Sequence, residues 1–543
     1  MSASSKKKLR NAEQAAKMTE KQLAEQKEAK KLKIYSTLAV VVLVVLVVFA
    51  AYVGISRTIV NSGIRERNTV ALTVGEHKIS NAELNYYYMS AVNNFYSNYG
   101  SYASLFGLDL TKPLDEQVID EESGTTWADD FIDGAIETVK ATYAVADEAK
   151  ANGYTLPDSV VAEIENAITS MQFYANIYGY PDTDTYIKAM YGNGASEESL
   201  RQYYETVEIA RAYQTEYQES LTYTNEQLRE AEAENYNKFS SFSYNYYYLN
   251  VQNFVESEGD ETSEYTDAQL AAAAAAAEEA AKSLTDGITT VEEFDSAIAA
   301  LPVNAENPNA KSYASEDVLY SAVFTGYADW LADDARKPGD MTYVANTSTS
   351  TDEDGNETET INGYYAVMFN GRNDNAFALP NVRHILVAFE GGTTDSTTGT
   401  VTYSDVEKAA AREAAEEILA QWKAGEATEE SFAALANEKS ADGDGTTGGL
   451  YEEIYPGQMV AAFEDWCFDA HEIGDTGIVE TEYGYHVMYF PGASETTYRD
   501  FLITEQLVTA DYNAWYDALI SAMTVTEESI KYLDTGLVIS SAQ

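Results

Sequence analysis

A stretch of 23 residues without one charged side chain, Ile34 to Ser56, constrains this chain more than any other feature. A helix needs about 20 consecutive apolar residues to cross a bilayer, so the stretch is long enough to span one. Buried core helices seldom run this long without a polar position. A cleaved signal peptide, cut after Val48-Phe49-Ala50, is the main alternative, but its apolar region is normally only about 7–15 residues long. We therefore predict an uncleaved transmembrane signal anchor over 34–56.

The charges on either side of this stretch predict its orientation. Residues 1–33 carry ten Lys and Arg against four Glu, a local net charge of +6, whereas the whole chain of 543 residues carries −55. Because basic flanks stay on the cytoplasmic side, we expect a basic cytoplasmic tail over 1–33. The rest, beginning with a linker over 57–68, should lie outside the cell membrane as the exported part of a single-pass protein.

Composition excludes several functions for the exported part. Residues 34–543 carry a net charge of −61, which repels phosphate backbones and argues against nucleic-acid binding. Cys467 is the single cysteine, so an intramolecular disulfide or a cysteine-based zinc site is excluded. No metal-ligand cluster or cofactor motif stands out. With 45% apolar residues, the chain can nevertheless bury several cores.

Long helical patterns follow the linker and predict a helical domain over 69–224. A short strand at Val70 leads into a helix capped by Ser80. Helices are expected over roughly 82–105, 127–152, 157–178, 183–191 and 196–221. Tyrosines recur here too densely to point into one core: Tyr86, Tyr87, Tyr88, Tyr96, Tyr99, Tyr174 and Tyr178. They are either half-exposed packing residues or an aromatic surface for unfolded segments.

An internal repeat organises the chain from about residue 239 onward. Four pairs of matching segments recur in the same order: 243–250 with 381–388, 268–283 with 405–423, 327–344 with 463–479, and 363–371 with 484–492. Two copies of one strand–helix–helix–strand module are therefore predicted in tandem, over 225–376 and 377–494. The first copy also contains a polar hairpin tip over 346–360.

The second copy resembles the parvulin family of peptidyl-prolyl isomerases over about 380–492. The matching motifs are Val382-Arg-His384-Ile-Leu-Val, Phe432 to Asp442, Gly448-Gly-Leu450, Pro456-Gly-Gln458-Met459, Phe463-Glu-Asp, Gly474-Asp and Thr481-Glu-Tyr-Gly-Tyr-His486. The wider layout looks like that of SurA/PrsA-type extracytoplasmic foldases, in which parvulin modules interrupt a helical chaperone domain. The resemblance implies an α+β fold, FKBP-like in both modules. It also implies a C-terminal helix within 495–543 that returns to the chaperone domain.

The resemblance further implies which residues carry the chemistry. The candidate catalytic residues match the family's central polar network: His384, Asp442, Thr481 and His486. The candidate substrate-binding residues match its proline pocket: Leu450, Gln458, Met459 and Phe463. Ordinary structural roles are the alternative, since a strand histidine is commonly a core residue and an aspartate in a Gly-rich loop is commonly a turn former.

The first copy departs from the family at the histidine positions. Tyr246 stands where His384 does, and Tyr365 stands where His486 does. We therefore expect this copy to keep the fold and to lack the activity.

The predicted function is cis–trans isomerisation of X–Pro bonds in exported proteins by a membrane-anchored foldase that also acts as a chaperone. Rotation about such a bond crosses a barrier of ~18–20 kcal/mol without making or breaking a bond, so no metal or cofactor is expected. The partners would be unfolded or partly folded exported proteins. The alternatives are a non-catalytic holdase with a vestigial parvulin module, and a structural or adhesive surface protein.

Overall fold

The computed structural model of the chain describes residues 4–8, 10, 33, 43–48, 62–109, 111–255, 265–351, 356–396, 398–443 and 445–536. Helices and sheets are mixed along the chain. Two units can be distinguished: the first comprises 1–221 and 511–543, and the second comprises 222–510.

The predicted membrane segment 34–56 and the basic tail 1–33 lie largely outside the described residues. Within the segment, residues 43–48 are helical. Among the residues that the structure describes, no helix combines the length and the apolar character that crossing a bilayer requires.

The first unit is mainly helical. Its helices are α1 (Ile64–Asn68), α2 (Asn81–Tyr99), α3 (Trp127–Ala151), α4 (Asp158–Ile177), α5 (Thr183–Tyr191), α6 (Glu197–Ser220) and the part of α14 (Tyr498–Ala522) from residue 511 onward. A small antiparallel sheet has the strand order β13 (Val525–Glu527), β1 (Val70–Val74), β2 (His77–Ser80). Leu72 lies opposite both Glu527 and Ile79, so a C-terminal strand pairs with the first strand of the unit.

The helices predicted here are confirmed, but the first ends earlier than expected. Ser80 caps α2 by accepting the backbone N–H of Glu83 at 3.1 Å. The helix stops at Tyr99 and is followed by a 3-10 helix over Gly100–Phe106. Two glycines, Gly100 and Gly107, and several polar residues between 94 and 107 explain why the α-helical hydrogen bonding does not continue.

The expectation for Tyr86, Tyr87 and Tyr88 is wrong. Their exposed fractions are 0%, 2% and 0%, because α2 is enclosed on more than one side. Tyr86 packs in a cluster with Ile168 and Leu200, whereas the next two tyrosines pack in the main core of the unit. The remaining tyrosines of that group are 43–52% exposed: Tyr96, Tyr99, Tyr174 and Tyr178.

The second unit contains two four-stranded antiparallel sheets. The first sheet has the order β4-β3-β6-β5 and the second sheet the order β10-β7-β12-β11. The strands of the first sheet are β3 (Ser241–Asn250), β4 (Tyr313–Leu319), β5 (Met341–Thr351) and β6 (Glu357–Asn373). Those of the second are β7 (Ala378–Ala388), β10 (Leu450–Tyr451), β11 (Thr476–Glu480) and β12 (Gly484–Thr497). A separate short hairpin joins β8 (Thr393–Thr394) to β9 (Val401–Thr402).

Helices cover both faces of each sheet. The helices of this unit are α7 (Asn225–Glu234), α8 (Asp267–Ser283), α9 (Val291–Ala299), α10 (Thr325–Leu331), α11 (Asp405–Ala424), α12 (Glu429–Lys439) and α13 (Ala461–Phe468). Successive strand residues point to opposite faces. Accordingly, Ile385 and Val487 pack in the core formed with α11 and α12, while Val382 and Met488 face α13 in a smaller core. The first sheet is covered in the same way by α8 and α9 on one face and by α10 on the other.

A buried arginine fastens the start of α14 inside the second unit. Arg499 is 4% exposed and pairs with the carboxylate of Glu232 on α7. Its guanidinium also donates to the carbonyl oxygen of Asp374 at 2.9 Å and lies 3.9 Å from the ring centroid of Tyr236. The charge is therefore compensated and its donors are used within one cluster.

Candidate active site

Two buried histidines meet on the face of the second sheet that carries α13. His384 lies on β7 opposite Met488, and His486 lies on β12 opposite Leu386. This register places the two imidazoles diagonally across neighbouring strands on one face. Their exposed fractions are 2% and 5%, and the Nδ1 atoms of the two rings lie 3.0 Å apart.

Hydrogen bonds extend the histidine pair at both ends. His384 Nε2 lies 3.0 Å from Oδ2 of Asp442, which belongs to the loop after α12. At the other end, His486 Nε2 lies 2.9 Å from the Thr481 hydroxyl oxygen, which belongs to the tight turn between β11 and β12. The structure thus brings the four candidate catalytic residues together in one chain of contacts, with Asp442 at its more exposed end.

One arrangement of protons satisfies the contacts of these four side chains with one another while both imidazoles are neutral. The Asp442 carboxylate accepts, so His384 donates from Nε2–H and keeps Nδ1 as an acceptor. His486 then donates its Nδ1–H to His384 and accepts the Thr481 hydroxyl proton at Nε2. The Thr481 oxygen in turn accepts the backbone N–H of Tyr483. All four ring nitrogens are therefore used within the network.

Burial keeps the imidazoles neutral. It lowers the pKa of His384, against the opposing attraction of the Asp442 carboxylate. It also lowers the pKa of His486 to about 4, and the neighbouring His384 adds to that shift. Near neutral pH the floor of the site is consequently formed by two uncharged rings.

The apolar part of the site lies on α13. The Phe463 ring stands nearly perpendicular to both imidazoles, with centroid distances of 5.3 Å to His384 and 5.2 Å to His486. Phe463 is 3% exposed, and the half-buried Met459 packs against the same cluster. Leu450 lies on β10 beside the strand that carries His384. An apolar wall therefore adjoins the polar network.

Gln458 is the exception among the candidate substrate-binding residues. Its side chain is exposed, and its Oε1 accepts the backbone N–H of Tyr455 at 3.2 Å. The Gln458 amide thus forms a hydrogen bond within its own loop. Its neighbour Met459 packs against the apolar cluster that contains Phe463.

Cys467, the single cysteine, is 2% exposed on α13. Burial, reinforced by the Glu464 carboxylate, raises the pKa of its thiol to about 12. A thiol of this kind stays protonated and serves packing.

Two residues of the site were not among the sequence candidates. The Tyr451 hydroxyl donates to Asp442 Oδ2 at 2.9 Å, and its ring centroid lies 5.1 Å from that of His384. The Ser440 hydroxyl oxygen accepts the backbone N–H of Leu386 at 3.0 Å and that of Asp442 at 3.2 Å. Ser440 thus fixes the loop, and Tyr451 fixes the carboxylate. In the sequence, only their position inside or next to the matching motifs indicated that Tyr451 and Ser440 belong to the site.

A glycine turn lets β10 approach the histidine strand closely. Gly449 has φ +65°, and its carbonyl oxygen accepts the N–H of His384 at 2.9 Å. A Cβ at this position would lie 2.1 Å from the His384 carbonyl oxygen, so only glycine fits.

The match to a family model agrees with this geometry. The model described as the PPIC-type PPIase domain matches residues 367–490. These residues contain a parvulin-type peptidyl-prolyl isomerase domain. Its fold here is the second sheet with α11, α12 and α13, and we call it the parvulin domain. The first matched residues, 367–373, lie in β6 of the first sheet.

Solved structures of the peptidyl-prolyl isomerase PrsA are similar to parts of the chain. The Bacillus cereus protein is 26% identical over 30% of this chain and 57% of that chain, with a TM-score of 0.17. The Bacillus anthracis protein is 21% identical over 27% and 59%, with a TM-score of 0.17. The Bacillus subtilis protein is 22% identical over 29% and 55%, with a TM-score of 0.19. The chain thus spans somewhat more than half the length of these proteins, and the TM-scores carry no argument about its overall structure. No curated protein matches the chain.

Proposed function

We propose that the chain catalyses cis–trans isomerisation of X–Pro bonds in exported proteins. The observation that carries this proposal is the buried pair His384 and His486, neutral and mutually hydrogen-bonded, with Phe463 packed edge-on against both rings. The position of this arrangement inside a parvulin-type domain supports the same activity.

Catalysis of rotation about an X–Pro bond requires selective binding of the twisted amide. A planar X–Pro amide is polar through resonance, whereas the twisted transition state has a more ketone-like carbonyl and a localised nitrogen lone pair. Only interactions that are stronger in the twisted state accelerate the rotation. A weakly polar, dry surface disfavours the planar amide more than the twisted one.

The site supplies such a surface. Because the ring nitrogens of His384 and His486 are occupied by each other, Asp442 and Thr481, the imidazoles present apolar faces rather than free donors. The proline ring would lie against Phe463 and Met459. Asp442, whose side chain is 39% exposed, is placed to accept an N–H of the bound chain.

The rest of the chain is proposed to deliver clients to this site. Residues 34–56 would anchor the protein in the cell membrane with 1–33 in the cytoplasm, and residues 69–224 with the end of α14 would form a chaperone domain. Residues 225–376 would be a degenerate second parvulin module, since its sheet order and its covering helices parallel those of the parvulin domain. That module carries tyrosines in place of both histidines.

A non-catalytic holdase is the second candidate, and exposed apolar side chains of the first unit favour it. Seven of them lie in two segments, around the end of α2 and the end of α4, and are 43–79% exposed: Tyr99, Tyr102, Leu105, Phe106, Phe173, Tyr174 and Ile177. Such surface can hold unfolded segments without any catalysis.

Proline-limited refolding of a model protein tests the catalytic proposal. The full chain is compared with His486→Ala, Asp442→Ala and the control His77→Ala, a partly exposed histidine paired with Asp147 in the first unit. We expect acceleration by the full chain and by the control, with at least tenfold loss in the two site variants. No acceleration by the full chain, or equal acceleration by all variants, would contradict the proposal.

Aggregation assays separate the holdase from the enzyme. A pure holdase would suppress aggregation of an unfolded client equally well in all of these variants while accelerating no refolding phase. Membrane anchoring is tested independently, by asking whether the chain resists alkaline extraction from membranes and loses that resistance when residues 34–56 are deleted.

A further inference from the structure

Two tyrosines of the first sheet occupy the register positions that the two histidines occupy in the parvulin domain. Tyr246 lies opposite Val367, and Tyr365 lies opposite Tyr248, on the face that carries α10. The histidine pair shows the same offset of two residues on the corresponding strands. The first sheet therefore presents aromatic rings where the parvulin domain presents its polar network.

These rings form a continuous aromatic surface, which we call the tyrosine platform: Tyr246, Tyr248, Tyr313, Tyr365 and Phe324. Tyr365 lies at its centre, with ring-centroid distances of 4.7 Å to Tyr248, 5.0 Å to Phe324 and 5.9 Å to Tyr246. Tyr313 stacks on Tyr246 at 5.6 Å and is 63% exposed, whereas the other members are half-buried. Tyr327, which is 4% exposed, supports the platform from below.

The platform is fixed in place by its surroundings. Gly363 on β6 leaves room for the Tyr248 ring, since a Cβ there would lie 2.6 Å from that ring's Cζ and hydroxyl oxygen. Asn346 donates to the same hydroxyl at 3.3 Å. The rings are thus held in defined positions, which lowers the entropy cost of binding a ligand.

We propose that the tyrosine platform binds proline-containing extended segments without isomerising them. Extended proline-rich chains dock in aromatic-lined grooves, where proline rings pack on aromatic faces and hydroxyl donors meet the exposed carbonyl groups. The platform offers adjacent tyrosine faces and hydroxyls at the place where the parvulin domain has its proposed X–Pro site. Tyrosines replace the neutral histidine pair there, so the mechanism proposed for the parvulin domain has no counterpart.

The platform shares its ligand class with the proposed function but does not depend on catalysis. A client held by residues of the first sheet keeps its other X–Pro bonds at high local concentration near the parvulin domain of the same unit. Binding at one site then raises the frequency of encounters at the other without any new contact.

Binding is tested on the full chain in lipid nanodiscs, in a background that blocks the parvulin pocket. Met459→Lys places an ammonium group beside Phe463 and removes the competing site. The probe is a fluorescein-labelled peptide of three Ala-Ala-Pro repeats, with a second peptide carrying alanine at each proline position. Fluorescence anisotropy compares this background with added Tyr313→Ser, with added Tyr246→Ser and Tyr365→Ser, and with the control Tyr265→Ser, a tyrosine 48% exposed outside the platform.

We expect the Met459→Lys chain to prefer the proline peptide, and Tyr313→Ser to weaken that binding about fivefold or more. The control should leave it unchanged, and the double substitution should abolish the preference. Equal binding of both peptides, or equal effects of Tyr313→Ser and Tyr265→Ser, would overturn the proposal. Because Tyr313 is mostly exposed, its substitution decides the question even where the double variant fails to fold. Failure of the proposed isomerase activity would show separately, as absence of catalysis by the unsubstituted chain.

Discussion

His384 and His486 share one proton between their facing Nδ1 atoms, which lie 3.0 Å apart in a buried site. The contact requires that one ring donates and the other accepts, so protonation of both Nδ1 atoms breaks it. Burial opposes such protonation. The pair therefore stays neutral over the pH range in which an isolated histidine titrates.

The isomerase activity should therefore depend weakly on pH near neutrality. Since the pKa of His486 is lowered to about 4, the neutral pair persists well below the ordinary histidine value of 6.5. We expect a flat kcat/KM from about pH 8 to 5.5 and a decline as the pH approaches 4. A proline-containing tetrapeptide assay over this range checks it. A midpoint of the kcat/KM profile near pH 6.5 would contradict this prediction, because it would show that a histidine of the site titrates with its ordinary pKa.

The same shift predicts how stability changes with pH. The unfolded chain binds a proton at His486 near pH 6.5, whereas the folded chain binds it only near pH 4. Between these pH values the unfolded state binds more protons than the folded state. The contribution of His486 to the free energy of unfolding is therefore complete above pH 6.5 and is lost as the pH falls toward 4. Its size is roughly 3 kcal/mol for this residue. Urea unfolding at pH 7.5 and 4.5 should show a smaller pH dependence in His486→Leu than in the unsubstituted chain.

Tyr451 should affect the pKa of His384 through its hydrogen bond to Asp442. Tyr451→Phe removes the hydroxyl that donates to the carboxylate at 2.9 Å but keeps the ring beside His384. The carboxylate then interacts more strongly with His384, which raises the pKa of that imidazole relative to the unsubstituted chain. We expect kcat/KM to fall about two- to tenfold, in line with the loss of one hydrogen bond. Imidazole nitrogen NMR across pH 4–8 detects the pKa change, and an unchanged His384 titration would contradict the prediction.

Sequence reasoning reached the parts of the site that depend on strand periodicity and motif order. Val382 and His384 alternate with Arg383 and Ile385, so their common face follows from the period of two along β7. The motifs at the two ends of the domain, which contain His384 and His486, implied that these two histidines lie close together. The structure adds the register that sets their Nδ1 atoms together.

Other features depend on packing that periodicity does not encode. Tyr451 reaches Asp442 because a two-residue strand and a loop happen to converge, and no spacing rule expresses that contact. The burial of Tyr86 and Tyr88 depends on helices that enclose α2 on several sides, so a dense tyrosine run gave the wrong expectation. Gln458 shares a motif with Met459, but the loop geometry separates their side chains.

Removing the buried arginine should destabilise the second unit strongly. Arg499→Met leaves the Glu232 carboxylate, whose side chain is 13% exposed, without its buried cationic partner, and only the half-exposed Arg229 still pairs with it. Breaking a buried ion pair from one side costs about 3–5 kcal/mol. Hydrogen exchange of the backbone near Tyr236 and Asp374 should accelerate markedly in this variant.

A matched control is available on the surface of α11. Arg412 has a side chain that is 63% exposed and pairs with Glu416, which is also exposed. Arg412→Met should change the free energy of unfolding by less than about 1 kcal/mol. Similar effects of the two substitutions would show that the Arg499 cluster does not fasten α14.

The neighbouring residues Gln458 and Met459 offer the sharpest test of the proline pocket. Met459 packs toward Phe463, whereas the Gln458 amide is exposed and accepts the N–H of Tyr455. Met459→Ala enlarges the pocket that would hold the proline ring, so kcat/KM should fall about tenfold or more. Gln458→Ala should leave it within about twofold, because the lost hydrogen bond lies in an exposed loop. Tetrapeptide isomerisation measured for both variants decides between this arrangement and one in which Gln458 contacts the substrate, since a large loss in Gln458→Ala would assign the amide to the site.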